Sequence, residues 1–250
     1  MGLTTSREGP PDLGRALEQH GAYCTALERC GVELTVLLVD PRHPDSTFVE
    51  DTAIVTPRGA IITRPGAPSR AGEVDEVAAA VRGWYPEVAY ITMPGTLDGG
   101  DVCDAGGHFL IGLSARTNEA GARQLAGLLG DLGYRSSLLD IRGSLRLLHL
   151  KTGMAYLGGG RLVVSADMPR FPALAPYELV AVDDDERYAA NCLRVNDRVL
   201  IAAGYPRIAQ RLGALGYETE PLEMSEFRKM DGGLSCLSLL GHPLLMSDPG

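Results

Sequence analysis

The chain reads as an α/β protein in which one strand–strand–helix–strand module recurs around an axis. Three observations predict this class. Apolar runs joined by short turns return along the whole length, amphipathic helices separate several of them, and short strand candidates follow those helices. Successive hairpins begin roughly 40 to 50 residues apart, too close for independent domains but suited to modules stacked side by side. A doubly wound parallel sheet would not need a hairpin in every repeat.

Leu13 to Cys30 is amphipathic and predicts a helix, followed by a strand over Leu34 to Val39. Ala53 to Thr63 is the first hairpin, turning at Pro57-Arg58-Gly59; a helix over Glu73 to Trp84 and a strand over Val88 to Thr92 complete its module. Val102 to Gly112 turns at Gly106-Gly107. It precedes a helix over Thr117 to Leu132, which Asn118 can cap, and a strand over Ser137 to Ile141. Met154 to Ser165 turns at Gly158-Gly159-Gly160, and the stretch Pro169 to Glu186 behind it lacks the module's periodicity, its acidic run reading as a solvated excursion. Cys192 to Ala202 turns at Asn196-Asp197 ahead of a helix over Pro206 to Leu215 and a strand over Glu218 to Leu222. Cys236 to Met246, turning at Gly241-His242-Pro243, is the weakest hairpin pattern.

The 250 residues carry a formal charge of −9 and no basic run, which argues against a nucleic-acid surface. With 45% hydrophobic and 22% charged residues the composition is that of a globular protein. The 5 cysteines lack CxxC spacing and fit neither a disulfide framework nor a thiolate zinc site, so reduced thiols in the cytoplasm are expected. No secretory signal or membrane span is evident.

Three motifs carry chemistry: Leu97-Asp98-Gly99-Gly100-Asp101, Leu148-His149-Leu150-Lys151-Thr152 and Asp231-Gly232-Gly233-Leu234-Ser235-Cys236. A carboxylate, an imidazole and a thiol are the parts of a nucleophilic cysteine site, provided the fold brings them together. Each has an ordinary competitor: a turn-building Asp, a satisfied core His, a small apolar Cys. Cys24, Cys103 and Cys192 read as core. His20, His43, His108 and His242 read as surface or turn residues.

Taken with Pro44-Asp45-Ser46-Thr47-Phe48-Val49-Glu50-Asp51, Ile62-Thr63-Arg64-Pro65-Gly66 and Gly112-Leu113-Ser114-Ala115-Arg116-Thr117-Asn118, these motifs resemble, in order and over nearly the whole chain, the guanidine-modifying superfamily. Its members are five-bladed α/β propellers called penteins. Within it the chain is most similar to the dimethylarginine dimethylaminohydrolase family. The resemblance implies a single domain over residues 1–250, a five-bladed propeller of ββαβ modules with pseudo-fivefold symmetry. Family members place an apolar strand before Gly-Leu-Thr, whereas Gly2-Leu3-Thr4 here follows Met1, so the first strand is expected to be absent.

The implied activity is hydrolysis of asymmetric dimethylarginine and monomethylarginine to citrulline and dimethylamine or methylamine, through a covalent thiouronium on cysteine. By motif position Cys236 is the nucleophile, His149 the general acid and base, and Asp98 the residue that orients His149. Asp51, with Glu50 assisting, pairs with the guanidinium; Asp45 faces the α-amino group; Arg70 and Arg116 hold the α-carboxylate; Leu3 and Met230 contribute backbone atoms. A free thiol with pKa ~8.5 is mostly protonated at neutral pH, and the substrate cation is expected to favour the thiolate.

Lys151 stands where deiminases and amidinotransferases of the superfamily typically carry Asp. Losing that carboxylate suits a methylated nitrogen with fewer N–H donors. No cofactor or metal is implied, the partner is a small cationic molecule with neither nucleic acid nor membrane involved, and a homodimer is an allowed assembly. Two alternatives remain open: a deiminase acting on arginine or another guanidine, and a noncatalytic ligand-binding propeller.

Overall fold

The computed structural model describes residues 2–85 and 87–241, and builds them around four three-stranded sheets of one design. Helix α1 (Leu13–Arg29) comes first, its N-terminus capped by Asp12, whose carboxylate accepts from the Arg15 amide. The first module follows as β1 (Ala53–Thr56), β2 (Gly59–Ile62), α2 (Val74–Arg82) and β3 (Val88–Tyr90). The second is β4 (Val102–Asp104), β5 (His108–Leu113), α3 (Glu119–Asp131) and β6 (Arg135–Asp140). The third has β7 (Met154–Gly158), β8 (Arg161–Ser165) and β9 (Glu178–Val182), and the fourth β10 (Leu193–Val195), β11 (Arg198–Ala202), α4 (Pro206–Ala214) and β12 (Glu218–Leu222). A short α5 (Ser225–Arg228) ends the series.

In every sheet the middle strand pairs antiparallel with its hairpin partner and parallel with the strand that returns after the crossover. That middle strand is the most apolar of its three, as in Phe109-Leu110-Ile111, because both its faces are covered. The outward faces pack against neighbouring modules rather than forming one central core. Ile61 of the first sheet meets Phe109, Ile111 and Leu125 of the second; Leu110 meets Met154 and Leu162 of the third; Val163 meets Val199 and Ile201 of the fourth. The fourth sheet then packs on α1 through Leu200, Tyr23 and Leu27.

Three sequence expectations are corrected. Leu34 to Val39 forms no strand. Among the described residues nothing pairs with it, and Val36, Leu38 and Val39 lie 65%, 85% and 87% exposed, so its apolar character has no ladder to join. Pro169 to Glu186 is no excursion: it supplies β9, and Glu186 is buried, accepting from the amides of Arg207 and Ile208 at the start of α4. Cys236 to Gly241 makes a 3-10 turn over Ser235–Leu237 and then no strand; the rest of that proposed hairpin, with His242, lies outside the described residues. Asn118 caps α3 as expected, accepting from the Gly121 amide at 2.8 Å.

Each hairpin is entered through a 3-10 turn: Val49–Thr52 before β1, Gly99–Asp101 before β4, Leu150–Thr152 before β7 and Asp184–Ala190 before β10. Ser235–Leu237 is a fifth such turn. The first turn packs on both the second and the fifth, and the third packs on the second and fourth. The segments that converge are therefore equivalent points of successive modules.

Truncating the fully buried Leu125 to Ala is expected to lower stability in urea unfolding by about 2–5 kcal/mol. Leu145→Ala, at a fully exposed position, should stay within about 0.5 kcal/mol.

Candidate active site

The converging turns carry the residues singled out by sequence. Asp98 immediately precedes the second turn, is completely buried, and takes His149 Nε2 at 3.0 Å on one oxygen and the Gly66 amide at 2.7 Å on the other. Its own backbone amide donates to Thr117 Oγ1, so main chain and carboxylate are both held. His149 immediately precedes the third turn, and its other ring nitrogen, Nδ1, lies 4.0 Å from Asp51 Oδ1. A side chain at Gly100 would place its Cβ 2.7 Å from that nitrogen and 2.8 Å from that oxygen, so only glycine permits the approach.

Asp101, the last residue of the second turn, supports the histidine. It is buried, accepts from Ser114 Oγ at 2.6 Å, and holds the amide of Leu150, the residue after His149, at 2.9 Å. Burial raises its pKa to about 6, although His149 and the hydrogen bonds it accepts pull the other way. For His149 burial works against the charged ring, yet Asp51, Asp101 and Asp98 outweigh it and raise the pKa to about 9. The ring is thus an imidazolium at neutral pH.

Asp51 is clamped at both oxygens: Oδ2 receives Arg70 Nη1 at 2.5 Å and Oδ1 receives the Gly100 amide at 2.8 Å. Burial opposes its ionisation, but His149 and Arg70 hold its pKa below the ordinary carboxylate range. Arg70, only 4% exposed, also binds Glu73 through Nε and donates through Nη2 to the carbonyls of Phe48 and, at 3.4 Å, Asp45. Arg116 differs. Its Nη1 is buried without a hydrogen-bond partner among the described residues, 3.8 Å from Asp98 Oδ2.

Cys236 lies in the fifth turn with its Sγ accepting the Gly233 amide at 3.4 Å. Burial, Glu50 and Asp51 push its pKa well up, with the Gly233 N–H and Lys151 opposing them, so the thiol is protonated in this arrangement. Glu50 is buried and paired with Lys151 Nζ at 2.7 Å, while its other oxygen accepts from Ser235 Oγ at 3.0 Å.

The first residues lie across this region. The Leu3 amide donates to both oxygens of Asp45, at 2.9 and 3.2 Å, while Thr4 and Thr5 bond Lys229 and Asp231. Met230, between them, packs on the cluster that includes Cys236. Asp51, Asp98 and His149 each bring one potential ligand atom within 4.8 Å of the others, but they are engaged with one another, Arg70 and Gly100 as described.

This architecture has close counterparts. The chain is 46% identical over 239 residues to the N(G),N(G)-dimethylarginine dimethylaminohydrolase of Pseudomonas aeruginosa, covering 95% of this chain and 93% of that one. The chain belongs to the dimethylarginine dimethylaminohydrolase family. The protein of that name from Streptomyces coelicolor is 38% identical, with 91% of this chain and 86% of the relative covered. A solved dimethylarginine dimethylaminohydrolase adduct with S-methyl-L-thiocitrulline superposes with a TM-score of 0.92 at 46% identity, again over 95% of this chain and 93% of that one. The Pseudomonas aeruginosa enzyme complexed with citrulline, as a mutant, gives the same score and identity over 95% and 92% of the two chains. The N-terminal domain of the arginine dihydrolase ArgZ shares the fold at 19% identity, with a TM-score of 0.85 over 94% and 90% of the two chains. No family model matches the sequence.

Several residues of the site escaped the sequence reading. Glu73 and Asn191 belong to no motif, and nothing in the motif that holds Ser235 or in the assignment of Arg70 pointed to the Ser235–Glu50 and Arg70–Glu73 contacts. Asn191 did carry a weak signal, since it lies just ahead of the Cys192 hairpin as Asp51 and Asp98 lie ahead of theirs.

By nuclear magnetic resonance titration His149 should lose its proton at about pH 9. In Gly100→Ala the added methyl separates the ring from Asp51, and the midpoint should move down toward the ordinary histidine value; an unchanged midpoint would contradict the proposed influence of Asp51.

Proposed function

We propose that the chain hydrolyses Nω-methylated arginines, asymmetric dimethylarginine and monomethylarginine, to citrulline and dimethylamine or methylamine. The observation that carries this reading is a buried site where a protonated histidine, held by Asp98, accompanies a thiol whose ionisation is opposed by Glu50 and Asp51. Such a thiol is activated by a ligand that brings positive charge between it and those carboxylates. A guanidinium does that.

As the substrate binds, Cys236 Sγ releases its proton to solvent and attacks the guanidinium carbon. The C–N bond to the methylated amine breaks as His149 donates its proton, leaving a thiouronium on the cysteine. His149, now neutral, takes a proton from water; the hydroxide adds to the same carbon, and as the C–S bond breaks the added hydroxyl gives up its proton to solvent, leaving the neutral ureido group of citrulline and the thiolate, which is reprotonated when product leaves. Asp98 keeps Nε2 occupied throughout, orienting the imidazole and stabilising its charge.

Asp51 pairs with the guanidinium beside Glu50, and Arg70, whose nitrogens are taken up by Asp51, Glu73 and the carbonyls of Phe48 and Asp45, fixes Asp51 rather than meeting the α-carboxylate itself. Arg116 presents a guanidinium nitrogen that has no hydrogen-bond partner among the described residues, only Asp98 Oδ2 at 3.8 Å, and that a substrate carboxylate would satisfy. Asp45 takes the α-amino group, with Leu3 and Met230 closing the site through backbone atoms. Lys151, engaged by Glu50, supplies no second carboxylate for an unsubstituted nitrogen, which favours methylated substrates over arginine.

The architecture proposed to hold this site is one domain, a five-bladed propeller, supported by the five equivalent turns and the sheet-to-sheet cores. We place the enzyme in the cytoplasm; no helix of the described residues is long and apolar enough to cross a membrane.

Citrulline release from asymmetric dimethylarginine, monomethylarginine and arginine tests the assignment, with the methylated substrates expected to turn over faster; preference for arginine would favour the deiminase alternative. Cys236→Ser should bind substrate without turnover, and retained activity would remove it as nucleophile. Because protonated His149 is the acid and Cys236 must shed its proton, kcat/KM should rise with pH toward about 9 and stop rising above it as the His149 proton is lost. A decline already complete near pH 7 would contradict that role.

A further inference from the structure

Four of the five turns place a residue of the proposed chemistry at the site: Glu50 and Asp51, Asp98, His149 and Cys236. The fourth turn, Asp184–Ala190, ends at Asn191, which is buried and to which no role has been given. Its amide is fully engaged. Oδ1 accepts the Ser235 amide at 3.0 Å, and Nδ2 donates to the Lys151 carbonyl at 2.9 Å and to Ser235 Oγ at 2.9 Å. Ser235 Oγ in turn donates to Glu50, and Glu50 pairs with Lys151. A closed ring therefore runs Asn191, Ser235, Glu50, Lys151 and back to Asn191. It joins the first, third, fourth and fifth turns.

We propose that Asn191 is a positioning residue for Cys236, holding the nucleophile turn so that the Gly233 N–H stays on Sγ and Glu50 stays bound away from it. This rests on the reading of Cys236 as nucleophile. Two further contacts support it. A Cβ on Gly233 would lie 2.5 Å from Asn191 Oδ1, so the carboxamide is seated directly on the residue whose amide meets the sulfur. Tyr188, in the same fourth turn, donates its hydroxyl to the Gly232 carbonyl at 2.8 Å, tying the adjoining peptide to that turn.

The partners allow one orientation of the carboxamide, because Oδ1 must face an N–H and Nδ2 a carbonyl. Removing it leaves the Ser235 amide and the Lys151 carbonyl unpaired and lets the turn relax. The Gly233 hydrogen bond, which favours the thiolate, is weakened. Ser235 Oγ loses the donor that orients it toward Glu50, so more of that negative charge reaches Sγ. Both changes disfavour the thiolate.

The test is the pH dependence of Cys236 alkylation by iodoacetamide, read by mass spectrometry on the Cys236 peptide, together with kcat and KM for asymmetric dimethylarginine. In Asn191→Ala the alkylation midpoint should rise by about one pH unit and kcat fall about tenfold, matching the smaller thiolate fraction, with KM changed far less. Asn191→Leu keeps volume over Gly233 while removing every hydrogen bond, and should behave alike if the Ala variant folds poorly. Ser235→Ala keeps the Ser235 amide on Asn191 Oδ1 and should move the midpoint less than either. An unmoved midpoint in a folded Asn191 variant, or an unchanged kcat, overturns the proposal. Activity surviving in Cys236→Ser would instead overturn the nucleophile assignment, a separate outcome.

Discussion

The site is organised around the buried carboxylate of Asp51. A charge removed from water needs compensation from every direction, and Asp51 receives it from Arg70 on one oxygen and from the Gly100 amide on the other, with the His149 ring next to that second oxygen. The same charge raises His149 and opposes ionisation of Cys236. That negative group is the leading influence that keeps His149 charged and, after burial and Glu50, helps keep Cys236 neutral, so both proposed catalytic partners are biased in the resting direction.

Holding that arrangement requires close approach of backbone turns from different modules. The sheets supply it by packing on one another through their middle strands, which leaves each turn projecting from a rigid base. Fine adjustment is local. Gly100 lets the second turn contact both Asp51 and His149, Asp101 pins the amide behind His149, and the Asn191 ring fastens the cysteine turn to the other three. Buried polar groups in such a network are satisfied almost completely, which gives it one geometry rather than several.

The hairpins were legible in the sequence because their signal is local: Pro57-Arg58-Gly59 or Asn196-Asp197 between apolar runs prescribes a reversal wherever it occurs. Leu34 to Val39 misled for the complementary reason, since a strand needs a partner edge and residue composition does not say whether one exists. Strand β9 was missed because its crossover from β8 contains no α-helix, only a 3-10 turn over Pro172–Leu174, so the expected periodicity was absent. In the site, Asp98, His149 and Cys236 could be ordered from motifs. The contact of Arg70 with Asp51 and the partners of Asn191 could not, because those side chains bind groups separated from them along the chain and meet them only after the modules pack.

The electrostatics also bear on why the proposed nucleophile is safe before substrate arrives. A thiol kept protonated by burial and two nearby carboxylates reacts slowly with oxidants and adventitious electrophiles, since the thiolate is the reactive form. A neutral ligand entering the site changes little of this, whereas a guanidinium between Asp51 and the sulfur reverses the local charge and favours the thiolate where its carbon is in reach. Recognition and activation then become the same event. In the proposed mode of binding Lys151, paired with Glu50, leaves Asp51 as the principal anchor, so that one edge of the guanidinium is held while the other is free to carry methyl groups. The proposed preference for a methylated substrate and need for a cationic one thus trace to two neighbouring carboxylates, one balanced by Lys151 and the other by Arg70.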